Sequence, residues 1–278
     1  MYKEKILENG FAYIEIQNES MIAKIALQGA HIFEYKREDG ETPLWLSGES
    51  AFEKGVAIRG GIPICWPRFG SQDTTMPQHG FARVEMFRLV EVKELDAKTT
   101  LLTLRLNDTE ATRSIWNYKF ELDVVFTLSE GLKIELITKN RDTREFMLTQ
   151  ALHTYFSISD IGAIKIEGLE NKTFLDALTN TNDKEEAAIT FDREIDRVYQ
   201  GADKEIKLLD RDRIIKLHTS GSASAVVWNP WIEKCSRMSF MHPLAYKEFV
   251  CIESANAFND FKVIKSQKNY TLSLTVSF

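Results

Sequence analysis

The last nine residues, Tyr270-Thr271-Leu272-Ser273-Leu274-Thr275-Val276-Ser277-Phe278, put an apolar or aromatic side chain at every even position. A repeat of two is the signature of a β-strand with one buried face; a helix would need spacings of three and four. The alternation returns over 101–106, 132–138 and 164–167, and in part over 120–128. Residues 21–35 read as two more strands joined at Gln28-Gly29, and Gly131, Gly162, Gly168 and Gly221 punctuate the runs as turns. Helical signals are few. Asn107-Asp108 ahead of Glu110-Ala111-Thr112-Arg113 is expected to cap one short helix, and 183–188 to form another helical turn. Neither is long enough to organise a domain. Many strands without alternating helices imply an all-β fold, a large antiparallel β-sandwich. No repeat, low-complexity tract or Pro/Ser-rich linker divides the chain, and strands resume after the polar stretch 180–186, which reads as a loop. Residues 1–278 are therefore expected to form a single β-sandwich domain.

Charge and composition exclude several function classes. A net charge of −6 is the wrong sign for a nucleic-acid partner. No apolar run approaches the ~18 residues of a membrane span. The start, Met1-Tyr2-Lys3-Glu4-Lys5, lacks the apolar core of a signal peptide, so a cytoplasmic location is expected. Three widely spaced cysteines, Cys65, Cys235 and Cys251, match neither a disulfide framework nor a zinc pattern. The five histidines show no metal-ligand spacing, and neither a metal nor another cofactor is expected.

The chemistry-bearing residues concentrate in Arg59-Gly60-Gly61-Ile62-Pro63-Ile64-Cys65-Trp66-Pro67-Arg68-Phe69-Gly70 and, shortly after, Pro77-Gln78-His79-Gly80-Phe81-Ala82-Arg83. Paired glycines permit positive φ or close backbone approach, and prolines stiffen the loop. Arginine forks on a stiff backbone suit an anionic, oxygen-rich small molecule. Farther on, His153 sits in the run Leu152-His153-Thr154-Tyr155-Phe156 and reads either as a proton donor or as a core histidine bonded to backbone. Glu253 ends the apolar run Phe249-Val250-Cys251-Ile252 and reads either as a buried general base or as a strand-end charge meeting water. Asp196, in Glu194-Ile195-Asp196-Arg197, reads by itself as a surface ion pair, and Gln78, His79 and Arg83 singly as polar turn residues. Trp228-Asn229-Pro230-Trp231 offers an aromatic platform for a sugar or a core turn, with the core reading favoured.

As an ordered set, these motifs, together with Asp196-Arg197-Val198-Tyr199 and Cys251-Ile252-Glu253, resemble the hexose-6-phosphate mutarotases, the glucose-6-phosphate 1-epimerases of the aldose 1-epimerase superfamily. The matches run from near residue 20 to the C-terminus. The resemblance implies a galactose-mutarotase type of β-sandwich. It implies His153 as general acid, Glu253 as general base, and Arg59, Gln78, Arg83 and Asp196 as substrate-binding residues, the arginines meeting the phosphate. His79 joins them because it matches a histidine near the sugar in related aldose epimerases. The partner expected is a small sugar phosphate, the state a monomer. One segment departs: where the family often carries an acidic Met-Asp-like stretch, this chain reads Arg237-Met238-Ser239-Phe240-Met241-His242-Pro243-Leu244. Three rival readings share the scaffold: a sugar-binding protein without catalysis, a mutarotase for unphosphorylated aldoses, and a glycoside hydrolase using Asp196 and Glu253 as its two carboxylates.

Overall fold

The structure is a computed structural model that describes residues 1–71, 75–202 and 205–278. Its described residues form two eight-stranded antiparallel sheets, a four-stranded sheet at the N-terminus and a small two-stranded one. The architecture is thus a large antiparallel β-sandwich, as the period-two runs imply, and of the kind the family resemblance leads one to expect.

One eight-stranded sheet runs, from edge to edge, Lys165–Glu167, Ile206–Asp210, Arg213–Ser220, Asn269–Ser277, Leu132–Asn140, Phe120–Leu128, Thr99–Asn107 and Arg88–Asp96. It contains most of the alternating sequence. In Leu132–Asn140 every second residue, starting with Leu132, is buried and those between are half exposed. The second runs Thr181–Lys184, Thr173–Asp176, Ile195–Gln200, Ser224–Asn229, Phe249–Asn256, Gln150–Leu152 and Ile64–Cys65, with Tyr155–Ser157 also paired to Phe249–Asn256. Its central strands Ser224–Asn229 and Phe249–Asn256 are buried along their whole length, so alternation is muted there.

Apolar side chains of both sheets, among them Val227, Ile252, Leu272 and Leu274, share one large core cluster. On the opposite face of the second sheet lies a smaller cluster of small residues: Cys65, Ala151, Val198, Val226, Ala255 and Ala257. Small side chains on a sheet face leave room above it, and the candidate site occupies that room.

Two local expectations are corrected. The short helix is Glu110–Ile115, but its cap is Thr109, whose hydroxyl accepts from the Thr112 N–H while the Thr112 hydroxyl accepts from the Thr109 N–H. Asp183 and Lys184 belong not to a helical turn but to the exposed edge strand Thr181–Lys184, paired with Thr173–Asp176. There the neighbouring strand overrides helix-favouring composition.

Candidate active site

Strand register delivers the floor of the site. Asp196, Trp228 and Cys251 lie side by side on three adjacent strands, and Val198, Val226 and Glu253 form the next row. Directly opposed residues point to one face, as do residues two apart. Asp196, Trp228 and Glu253 therefore project together from the face opposite the inter-sheet core. Glu253 stands mid-strand, three residues before the end at Asn256, and is only 2% exposed. That rules out a strand-end charge meeting water.

The wall comes from the loop segments. Tyr155 N–H donates to Gly61 O at 2.9 Å and His153 N–H to Pro63 O at 3.0 Å, which stitches the Arg59–Pro63 loop to the histidine segment. Arg59 is fixed through its own backbone: its N–H donates to Ser50 Oγ at 3.0 Å and its carbonyl accepts from Ser47 N–H at 3.0 Å. Gly61 has φ 60, and a Cβ there would lie 2.2 Å from Ile32 O. The glycine pair thus serves close passage against neighbouring backbone. Arg83 follows on the short 3-10 turn Ala82–Val84, and its guanidinium donates to Gln78 O at 2.7 Å.

All seven residues singled out in the sequence, Arg59, Gln78, His79, Arg83, His153, Asp196 and Glu253, line one cavity of about 310 Å³. Its lining also includes Phe69, Tyr155, Trp228, Lys234 and Met238. Trp228 therefore faces the cavity as well as packing in the core. Met238 brings the divergent 237–244 segment to the cavity wall. Tyr155 and Lys234 were not singled out. Tyr155 adjoins His153 in sequence at the i+2 spacing of a strand, which could have flagged it; Lys234 lies on the helix Trp231–Cys235 and has no comparable signal.

His153 Nε2 lies 3.3 Å from Glu253 Oε1. The imidazole stacks on Tyr155, with ring centroids 4.9 Å apart and planes 11° from parallel, and meets Trp228 and His79 edge-on at 5.8 and 5.9 Å. This packing fixes the ring. The remaining polar atoms of the pair, His153 Nδ1 and Glu253 Oε2, are buried without a hydrogen-bonding partner among the described residues. Folded proteins leave few such atoms, and a catalytic or ligand-binding role is one of the accepted reasons for them.

Electrostatics divide the cavity. Burial, followed by His79 and Arg83, drives His153 well below the usual imidazole range. Burial and the Arg83 and Arg59 charges lower His79 to about 3. Gly70 N–H donates to His79 Nδ1 at 3.3 Å, which places the proton of the neutral ring on Nε2. Burial, reinforced by Asp196, drives Glu253 well above the usual carboxylate range. The pair thus favours a neutral imidazole beside a protonated carboxyl. Among the described residues no cluster of three His, Cys, Asp or Glu side chains is placed to hold a metal ion.

A β-sandwich that carries a buried imidazole–carboxylate pair in a polar cavity is a scaffold for proton-transfer chemistry on a small ligand. Residues 13–277 match the family model for aldose 1-epimerase, and the chain belongs to that family; it is an isomerase of the epimerase type. It is 36% identical over 262 residues to an Escherichia coli K12 protein named "Putative glucose-6-phosphate 1-epimerase", covering 91% of this chain and 86% of the relative. A protein of the same name from the plant Cenchrus ciliaris is 35% identical over 84% of this chain and 74% of its own length. Among solved structures, the mutarotase-type protein YeaD from Salmonella typhimurium superposes with a TM-score of 0.91 at 32% identity, covering 99% of this chain and 92% of that one.

Proposed function

We propose that the protein interconverts the α and β anomers of a hexose 6-phosphate, with His153 as general acid and Glu253 as general base. The observation that carries the reading is the His153–Glu253 contact of 3.3 Å in a cavity that Arg59 and Arg83 also line. The names of the relatives, glucose-6-phosphate 1-epimerases among them, support the substrate class.

In this mechanism Glu253 takes the proton of the C1 hydroxyl while His153 gives one to the ring oxygen. The C1–O5 bond breaks and the C1 oxygen becomes an aldehyde. Rotation about C1–C2 presents the other carbonyl face, and reversed proton transfers close the ring. The pair holds one proton throughout: on His153 in the ring-closed complex, on Glu253 at the open-chain stage. The second arrangement is the one that burial favours. Arg59 and Arg83 hold the phosphate as charge-assisted donors, Asp196 and Gln78 accept from and donate to sugar hydroxyls, and His79 offers its Nε2–H. The chain acts as one unit over residues 1–278, in a reducing cytoplasm where the buried free thiols of Cys65, Cys235 and Cys251 persist.

The test is anomer exchange at C1 by NMR, on glucose 6-phosphate and on free glucose, for the wild type and His153→Ala. Fast exchange on the phosphorylated sugar alone, lost in the variant, supports the reading. Equal exchange on both sugars would move the substrate to free aldoses. Ligand binding without exchange would make this a binding protein.

A further inference from the structure

Lys234 reaches the site from a helix that carries no local signal of it. The strand Ser224–Asn229 delivers Trp228 to the cavity floor; Pro230 and Trp231, the latter at φ 53, then turn the chain into the helix Trp231–Cys235. The turn sets Lys234 beside the acidic side of the cavity. Its Nζ donates to Glu194 Oε1 at 2.8 Å, lies 3.7 Å from Asp196 Oδ2, and sits 5.7 Å from the centre of the Trp228 ring. The 2.8 Å contact is a full hydrogen bond; the 3.7 Å one is an ion pair without one. Three protons on the ammonium leave donors free toward the cavity that Lys234 lines.

We propose that Lys234 is a positioning residue that holds Asp196 as the sugar-binding carboxylate, an inference that rests on the mutarotase reading above. The surroundings of Asp196 explain the need. Glu194, just ahead of its own strand, and Asp176 on Thr173–Asp176 bring negative charge to it, as would the Glu253 carboxyl and the Cys251 thiol if ionised. Of the groups that act on Asp196, Lys234 supplies the positive charge. Burial already pushes the Asp196 carboxyl upward, and Lys234 opposes that push. Without the lysine, Asp196 takes up a proton more readily and loses its charge-assisted bonds to sugar hydroxyls. Glu194 then serves as the second anchor that keeps the lysine head at the cavity rim.

The experiment measures C1 exchange of glucose 6-phosphate between pH 5 and 8 for the wild type, Lys234→Met and Lys234→Arg, resolving KM and kcat. Lys234→Met is expected to raise KM a few-fold at pH 7 and toward about tenfold at pH 5, the gap between a charge-assisted and a neutral hydrogen bond, with kcat within about twofold. The ratio of its KM to that of the wild type should widen as pH falls, because Asp196 protonates; titration of the substrate phosphate cancels in that ratio. Lys234→Arg should return most of the loss. A ratio independent of pH, a loss confined to kcat, or an arginine variant no better than methionine would each overturn the proposal. Asp196→Asn provides a second arm that keeps the lysine: it should reproduce the KM rise without the pH trend, and adding Lys234→Met to it should cost nothing more. Additive losses in the double variant would also overturn it. If the wild type shows no exchange, the catalytic reading falls separately, and the same ratios taken from glucose 6-phosphate dissociation constants decide the role of Lys234.

Discussion

Two regions of this protein gather acidic and basic side chains, and they treat them in opposite ways. On the eight-stranded sheet that carries most of the alternating sequence, Arg105, Glu121, Asp123 and Lys139 form a cross-strand ladder. Arg105 donates to both oxygens of Asp123, at 2.5 and 2.7 Å, and Lys139 donates to Glu121 at 2.6 Å and to Asp123 at 2.7 Å. Burial pushes both carboxyls upward, but these donors outweigh it and hold them below the usual range. In the cavity, His153 and Glu253 meet through one contact and keep two buried polar atoms unpartnered. Both are driven toward neutrality. Satisfied charges are a stability device; unsatisfied ones mark where folding has left polar groups for a ligand.

The largest test of this contrast is catalytic. His153→Ala and Glu253→Gln should each lower kcat/KM by roughly 10²–10⁴-fold, the usual contribution of a positioned acid or base. Asp123→Ala should leave kcat/KM unchanged and lower the melting temperature. Because the pair shares one proton, the pH profile of the wild type should be bell-shaped with limbs that belong to the pair. The acid limb, where His153 takes a second proton, should lie below the ordinary imidazole value, since His153 is shifted downward. The residual activity of Glu253→Gln should lose the bell and follow the single titration of His153. A wild-type profile flat from pH 5 to 9 would remove this pair from the chemistry.

Next comes the cationic wall. Arg83→Ala should raise KM for glucose 6-phosphate about 10–100-fold, from roughly 1.5–3 kcal/mol for a hydrogen bond to a charged partner, and should leave free glucose unaffected. Equal weakening for both sugars would release Arg83 from the phosphate. The Gln78 carbonyl that its guanidinium already holds would then be its whole role.

The contrast also explains what the sequence could and could not disclose. The ladder sheet was legible where its strands bury one face, as in Leu132–Asn140, which alternates cleanly. The site sheet was harder to read: Phe249–Asn256 is buried on both faces, and Glu253 looked like the end of an apolar run rather than the middle of a strand. The seven site residues were recognisable as a set through family resemblance, since cross-strand register, which brings Asp196 beside Trp228 and Glu253 beside Val226, has no local signature. Lys234 stayed hidden for the same reason: its meaning depends on a turn at Pro230-Trp231 that lays a helix over a strand some forty residues earlier in the chain. The edge strand Thr181–Lys184 misled in the other direction, because composition favoured a helix where pairing decided for a strand.

The smallest effect is the most discriminating, because the two regions should respond to pH with opposite signs. The folded-state pKa of Asp123 is depressed, so its contribution to stability is present above the unfolded value of about 3.9 and is lost as pH falls through the folded one. Asp123→Asn should therefore cost about 1–3 kcal/mol at pH 7, and the difference from the wild type should shrink below about pH 4. The folded-state pKa of Glu253 is raised, so the folded protein binds a proton there that the unfolded chain has released above about pH 4.3. That linkage lowers stability progressively as pH rises from the unfolded value toward the folded one. Glu253→Gln removes it, and should match or exceed the wild type in denaturant midpoint at pH 7, with the advantage fading below about pH 4. Parallel urea titrations at pH 3.5 and 7 read both signs at once. If Glu253→Gln proves as destabilising at pH 7 as Asp123→Asn, then Glu253 is a satisfied structural carboxylate like those of the ladder, and the distinction between the two regions fails at its central residue.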